Sequence, residues 1–134
     1  MRPEDSHLGK RLNTLGAAQT FFGDCYHGVD PLVETLWVAH LDKANCCVHL
    51  SRHDGNSSSA PFPLKTILRD AIELNSAGIL LAHNHPSGDP RPSESDLAAT
   101  RRLVFVSDAL DCRVLDHLVL AGDDSTSFRS LGLL

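Results

Sequence analysis

The sequence predicts an α/β domain in which helices pack on a mixed β-sheet, and two observations lead to this fold class. Apolar periodicity gives, in order, a β-hairpin, a helix, a strand, a second helix and a second strand, and this order is typical of α/β folds. The chain has 134 residues, of which 42% are hydrophobic and 22% charged. Both values suit one globular domain with a substantial core.

The N-terminal segment, residues 1–30, carries a modest helical pattern. Leu15 and Phe22 stand near helical spacing, and Gly23 follows them as a helix breaker. We therefore predict a short helix and a loop over residues 1–30, and we assign residues 31–134 to the main domain.

The hairpin and the helix after it come next along the chain. Leu36–Asp42 and Cys46–Leu50 are short apolar runs joined by turn-forming residues, which predicts a β-hairpin. Residues 54–63 are rich in Gly, Ser, Asn and Pro, so we expect a surface loop there. Apolar residues at helical offsets predict a helix over Leu64–Asn75, and Gly78 stands where a glycine would end it.

The C-terminal half repeats the alternation of strand and helix. Ile79–Ala82 is predicted to be a buried strand, followed by a proline-rich loop over His85–Pro92. Ser93 starts a predicted helix that runs to about Asp108, and Cys112–Leu120 is a further strand. Ser127–Leu134 has weak patterning and is expected to be a tail.

Charge and hydropathy exclude several classes of protein. The formal charge is −5, from 12 basic and 17 acidic residues, whereas a protein that follows nucleic-acid phosphates needs concentrated positive charge. No apolar run approaches the ~20 residues of a membrane span, and the first ten residues are too polar for a signal peptide. We therefore expect a cytoplasmic protein with no membrane partner, and the charge disfavours a nucleic-acid partner. No feature predicts an oligomeric state.

Eight histidines are an unusual number for this length, and two of them have the spacing of a metal site. If the strand continues to His85, then His83 and His85 point to one face, about 7 Å apart at Cα. Asp96, in the first turn of the next helix, could complete a site of three ligands with one position open to water, as in catalytic zinc sites. The alternative for Ser93 and Asp96 is a helix capping box, and the alternative for each histidine is a structural role.

The motif H-x-H-x7-S-x2-D, formed by His83, His85, Ser93 and Asp96, resembles the JAMM metalloprotease motif of MPN domains. The longer segment HNHPSGDPRPSESD, with LDHLVL and SFRSLGLL downstream, is similar to the bacterial RadC family within that group. The resemblance extends from about Glu34 to Leu134. It implies the three-layer α/β fold of MPN and cytidine-deaminase-like domains.

The resemblance also implies an activity, which is zinc-dependent hydrolysis of a peptide or isopeptide bond in a peptide or protein substrate. It implies that His83, His85 and Asp96 bind zinc, and that Ser93 hydrogen-bonds the oxyanion or the metal-bound water. A glutamate from an early strand would be the general base. Glu34 matches that position, whereas Glu73 fits less well because it belongs to a helix; the alternative for Glu34 is a solvated charge.

The sequence departs from the family pattern in two places. Residues 1–30 are too short for the helix-hairpin-helix-like region that RadC proteins usually carry, and only Gly55 and Pro63-Leu-Lys stand where an Arg-Gly and a Pro-Arg-Glu segment are usual. These departures argue against DNA association. The alternative functions are a DNA-repair-associated protein, which the name of the family suggests, and a non-catalytic interaction module that keeps the metal site. A zinc deaminase is disfavoured, because its H-x-E and P-C-x-x-C motifs are missing.

The remaining histidines carry weaker signals. His117 could orient a metal-binding histidine, although a core or edge histidine is the simpler interpretation. Structural or surface roles are expected for the other five, which are His7, His27, His40, His49 and His53.

Overall fold

A computed structural model describes residues 6–55 and 62–134. Within them the chain forms three helices and five strands. In chain order these are α1 (Leu15–Cys25), β1 (Thr35–Leu41), β2 (Cys47–Asp54), α2 (Leu64–Glu73), β3 (Gly78–Asn84), α3 (Glu94–Ala109), β4 (Arg113–Ala121) and β5 (Asp124–Ser127). The α/β class expected from the sequence is confirmed.

The five strands form one mixed sheet in the order β2-β1-β3-β4-β5. The predicted hairpin is present as the antiparallel pair β1 and β2, and β1 also pairs antiparallel with β3. β3 and β4 are parallel, with α3 as the connection between them. β3 is therefore the central strand, and all seven of its residues are buried.

Helices cover both faces of the sheet, which gives the three layers that the resemblance implies. On one face, Phe22 of α1 packs in a core cluster with Trp37 and Leu80. On the other face, Ile67 of α2 and Leu103 of α3 belong to a second cluster. Alternate residues of each strand point to opposite faces, so β1 and β3 contribute to both clusters. The boundary predicted at residue 30 stays a prediction.

Three predicted element ends were wrong, each for a local reason. Gly23 lies inside α1 because an exposed glycine costs a helix only about 1 kcal/mol. Asn75, with φ of 51°, takes the left-handed conformation after α2, and Gly78 instead begins β3. β2 runs beyond Leu50 because Ser51 to Asp54 pair with β1 across the sheet.

The sequence missed β5 in front of the predicted tail. Its four residues, D-S-T-S, lack an apolar alternation. They pair with β4 across a tight turn in which Gly122 has φ of 60°. The strand conformation therefore comes from backbone pairing with the buried strand β4 and not from the pattern of its own side chains. Of the loop predicted over residues 54–63, positions 56–61 lie outside the described residues.

The helices of this fold are short. The longest, α3, has 16 residues, and within residues 6–55 and 62–134 no helix combines the length and apolar character of a membrane span.

His40 is a histidine buried within the sheet. Its Nδ1 lies 2.8 Å from Ser76 Oγ, and its Nε2 has no hydrogen-bond partner among the described residues. Burial, and then the nearby His49, lower the pKa of His40 to about 4, although Asp70 on α2 acts in the opposite direction. His53, on β2, lowers it further.

We expect His40 to make folding sensitive to acid. The folded state resists protonation of His40 while the unfolded chain takes up a proton near pH 6.5. This contribution to stability is therefore complete above pH 6.5 and is lost as the pH falls toward 4. The loss should reach about 3 kcal/mol in the free energy of unfolding. Urea titrations at pH 7 and pH 4 should show this difference shrinking in His40→Gln and persisting in a control at the exposed His27, His27→Gln.

Candidate metal centre

The candidate metal-binding motif lies at the end of the central strand. His83 is the second-last residue of β3 and His85 follows the strand, held to β4 by a backbone hydrogen bond from His85 N to Leu120 O of 2.9 Å. Asp96 reaches them from the first turn of α3. The Nε2 atoms of His83 and His85 are 2.9 Å apart, and Asp96 Oδ2 lies 3.1 Å from the first and 3.0 Å from the second.

A hydrogen bond at Nδ1, the ring nitrogen that points away from His83 and Asp96, sets the tautomer of His85. Its Nδ1 lies 2.8 Å from the carbonyl oxygen of Asp89, which can only accept a hydrogen bond. Nδ1 therefore carries the proton. In a neutral imidazole the lone pair is then on Nε2, the atom that faces His83 and Asp96.

A longer chain of hydrogen bonds sets the tautomer of His83. Thr100 Oγ1 donates to the carbonyl oxygen of Asp96, at 2.8 Å, so its single proton is used. The Nδ1 of His117, 2.7 Å from Thr100 Oγ1, must then be the donor in that contact. His117 Nε2 is consequently an acceptor, and His83 Nδ1, 2.7 Å away, donates to it. The lone pair of neutral His83 is therefore also on Nε2.

These tautomers leave three acceptor atoms facing one another within 3.1 Å, with no proton on either facing nitrogen. Two imidazole nitrogens and a carboxylate oxygen form a donor set that zinc takes, and neighbouring ligands of a tetrahedral zinc ion stand about 3.3 Å apart. The observed separations are within a few tenths of an ångström of that value. The residues present therefore fit a divalent metal ion.

Asp96 is ionised as a metal ligand must be. Burial alone would raise its pKa, but the adjacent His83 imidazole, and then the hydrogen bonds from Ser93, lower the pKa well below its ordinary value. The carboxylate is half-buried. Its negative charge therefore faces the two histidines at neutral pH.

Ser93 and Asp96 also form the capping box that the sequence allowed. Ser93 Oγ accepts a hydrogen bond from Asp96 N at 3.0 Å, and Asp96 Oδ2 accepts one from Ser93 N at 2.9 Å. The cap fixes the start of α3 and thereby directs the Asp96 carboxylate toward β3. One carboxylate thus serves both the helix and the metal-binding group.

Glu34 lies immediately before β1 and joins this cluster. One carboxylate oxygen of Glu34, the two histidine nitrogens and one Asp96 oxygen all lie within 4.8 Å of one another. Glu73, at the end of α2, is not part of the group. The structure therefore brings together Glu34, His83, His85 and Asp96.

Asn84, the residue between the two histidines, holds the segment that carries Glu34. Its Oδ1 accepts from Thr35 N at 2.7 Å, and its Nδ2 donates to Val33 O at 2.9 Å. Both neighbours of Glu34 are thus tied to the metal-binding strand. Gly55 N donates to the carbonyl oxygen of Glu34 itself, at 2.8 Å.

His117 is a core histidine, as the simpler interpretation had it, and it also contacts His83, a candidate metal ligand. It is 2% exposed and stacks on Phe128 at 4.5 Å between ring centroids. Asp116 fixes the segment around Phe128, accepting from Ser127 Oγ at 2.5 Å and from Arg129 N at 3.0 Å. The LDHLVL and SFRSLGLL segments therefore meet behind His83.

We expect His117→Leu to lower the affinity for Zn²⁺ by about 10- to 100-fold, because it removes the acceptor that orients His83. His117→Gln keeps an acceptor oxygen and should retain most of the affinity. Competition with a chromophoric chelator measures both constants, and circular dichroism checks that each variant is folded. Equal affinities in the wild type and His117→Leu would contradict the orienting role.

Sequence reasoning missed Asn84 and Thr100 as parts of this site. Both are buried polar residues with no metal-binding or catalytic signature of their own. The only available signal was position, since Asn84 separates the two histidines and Thr100 follows Asp96 by one helical turn. Sequence spacing does not reveal which backbone groups such side chains reach.

The chain matches one family model, and three similar proteins share a single family description. A family model described as RadC-like JAB domain matches residues 12–133. The chain is 37% identical over 102 residues to the UPF0758 protein YfjY of Escherichia coli, covering 75% of this chain and 64% of that protein. YkfG of the same organism, also a UPF0758 protein, is 37% identical over 102 residues, covering 75% and 65%.

A third relative comes from another organism. A UPF0758 protein of Roseiflexus castenholzii is 42% identical over 79 residues, covering 59% of this chain and 34% of that protein. The chain thus spans less than two thirds of the length of each of these relatives. Their names state no substrate.

Proposed function

Because the chain belongs to the family of RadC-like JAB domains, we propose that it is a zinc-dependent hydrolase of the JAMM type that cleaves a peptide or isopeptide bond. The observation that supports this most is the convergence of three acceptor atoms, on His83, His85 and Asp96, within 3.1 Å. Such a group is stable when a cation lies between its members. Three protein ligands leave one position for water, as catalytic zinc sites require.

When bound, zinc would supply a water whose pKa is lowered to about 7 and would polarise the scissile carbonyl group. The Glu34 carboxylate, within 4.8 Å of the ligand atoms, would accept a proton from the attacking water. As the C–N bond breaks, Glu34 would pass that proton to the leaving amine. The water oxygen would remain on the carbonyl carbon, so that atoms and charge balance.

Ser93 is proposed to stabilise the negative charge that develops on the substrate carbonyl oxygen. In the capping box its hydroxyl uses a lone pair, and among the described residues its proton has one possible acceptor, Ser95 Oγ, 3.1 Å away. Either serine can donate in that contact. A donor to the developing oxyanion binds more tightly in the transition state than in the ground state.

The proposed substrate is a peptide or protein rather than a nucleic acid, in keeping with the net charge of −5. The test combines metal analysis of the purified protein with hydrolysis of a panel of peptides and isopeptide-linked conjugates. We expect about one zinc per chain, and hydrolysis that stops on chelation and returns with zinc. Absence of any bound divalent metal would overturn the proposal, whereas bound zinc without hydrolysis would favour the non-catalytic interaction module.

A further inference from the structure

A cavity of about 830 Å³ opens beside the metal centre. Glu34, His83 and Asp96 all line it, so it is the space in which the proposed reaction takes place. Its wall on α3 continues from Ser95 through Ala98 and Ala99 to Arg102. We call this space the cleft.

The α3 wall is one face of the helix. Ser95 lies three and four positions before Ala98 and Ala99, and these lie four and three positions before Arg102, so the four residues form a single stripe. Ala98 and Ala99 carry only a methyl group, which leaves the cleft open between Asp96 and Arg102. Between Asp96 and Arg102 the helix rises by about 9 Å along its axis, over six residues.

Arg102 is the only lysine or arginine among the described residues that line the cleft. In the described part of the chain Arg102 forms no ion pair. Arg52, Arg69 and Arg91, by contrast, each pair with an aspartate. Two of the three acidic residues that line the cleft already have basic neighbours, because Asp96 faces His83 and His85 and Asp54 pairs with Arg52. Asp54 binds Arg52 at 2.8 Å and accepts from Thr35 Oγ1 at 3.1 Å.

Apolar side chains complete the cleft. Leu36 of β1, together with Phe62 and Pro63 before α2, lines it as well. Arg102 itself is exposed, and a peptide packed on the apolar wall would shield its ion pair from solvent and so strengthen the attraction for a carboxylate. The arginine fork also matches the two oxygens of a carboxylate, with two parallel N–H···O bonds.

Resting on the function proposed above, we propose that the cleft selects substrates that carry a carboxylate about three residues from the scissile bond, bound by Arg102. An extended peptide advances about 3.3 Å per residue, so three residues cover the 9 Å between Asp96 and Arg102. The intervening side chains would pack on the apolar wall. An aspartate or glutamate side chain and a free C-terminal carboxylate offer the same chemistry.

The test scans the position of the carboxylate. One arm uses peptides blocked at both ends with a single Asp moved along the sequence, each matched by the same peptide with Asn. The second arm replaces the internal Asp with a free C-terminus at the same distance. Hydrolysis by the zinc-loaded protein gives kcat/KM for each peptide.

We expect a preference for the carboxylate of about 10- to 100-fold at one register, the size of one charge-assisted hydrogen-bonded pair. Arg102→Gln should remove the preference for the Asp peptide. Arg102→Glu should reverse it, so that the peptide with Lys at the same position is hydrolysed faster than the Asp peptide. A reversed preference cannot result from misfolding. Arg101 is the matched control, because it is an adjacent exposed arginine of α3 outside the cleft, so Arg101→Gln should behave as the wild type.

A binding measurement separates this proposal from the proposed hydrolysis. Fluorescence anisotropy with zinc-loaded Glu34→Gln reports whether labelled Asp peptides bind better than Asn peptides, and whether Arg102→Gln added to that variant abolishes the difference. Acid-selective binding through Arg102 without wild-type hydrolysis would support the cleft and contradict the enzyme. Hydrolysis without carboxylate preference, or an equal effect of Arg101→Gln, would overturn the cleft alone. Neither binding nor hydrolysis of any peptide would overturn both.

Discussion

Glu34→Gln is expected to lower kcat by about 10²- to 10⁴-fold while zinc stays bound. The substitution keeps the size of the side chain but removes the basic oxygen that accepts a proton, and general base catalysis contributes a factor of this size. His83, His85 and Asp96 are unchanged, so the metal content should remain that of the wild type. Peptide hydrolysis under saturating substrate, with metal analysis of the same preparation, measures both quantities.

Glu73→Gln is the matched control for this prediction. Glu73 is exposed on α2 and stands outside the group formed by Glu34 and the metal-binding residues. It is also the other glutamate that the sequence allowed as general base. Full activity in Glu34→Gln, or a larger loss in Glu73→Gln, would refute the assignment of the base.

His83→Ala is expected to weaken zinc binding by more than 100-fold. Loss of a residue that only orients a ligand costs about 10- to 100-fold in metal affinity, so loss of a ligand should cost more. Here the substitution also removes the donor that His117 Nε2 accepts from, at 2.7 Å. The wild-type protein and the variant can be compared by competition with a chelator of known zinc affinity.

His49→Ala controls for general effects of removing a histidine from a strand. His49 lies on β2, is half-buried and belongs to no group of metal-binding residues in the described part of the chain. The zinc affinity of the His49→Ala variant should equal that of the wild type. If His83→Ala is folded by circular dichroism and still binds zinc with unchanged affinity, His83 is not a ligand.

The elements that sequence patterning predicted best are those whose own side chains form a regular apolar face. α2 shows this, because its apolar positions recur at helical offsets from Leu64 onward. β3 is likewise a continuous buried run. β5 and the far end of β2 were missed, since their polar residues become strand only by pairing with a neighbour.

In the site, the sequence by itself determined which residues could bind a metal ion. The spacing of His83 and His85 follows from the two-residue period of a strand, and the position of Asp96 follows from the start of a helix. The motif they form with Ser93 identified the family, which the match over residues 12–133 confirms. All of this is local information along fewer than fifteen residues.

Only the tertiary structure decided what surrounds those ligands. His117 and Thr100 fix the tautomer of His83, Asn84 holds the segment that carries Glu34, and Arg102 faces the same cleft. The hydrogen bonds that join these separate elements span from 17 positions, between Thr100 and His117, to 51 positions, between Val33 and Asn84. The packing of β1, β3, β4 and α3 brings them together, and no local pattern encodes a contact that depends on how separate elements pack.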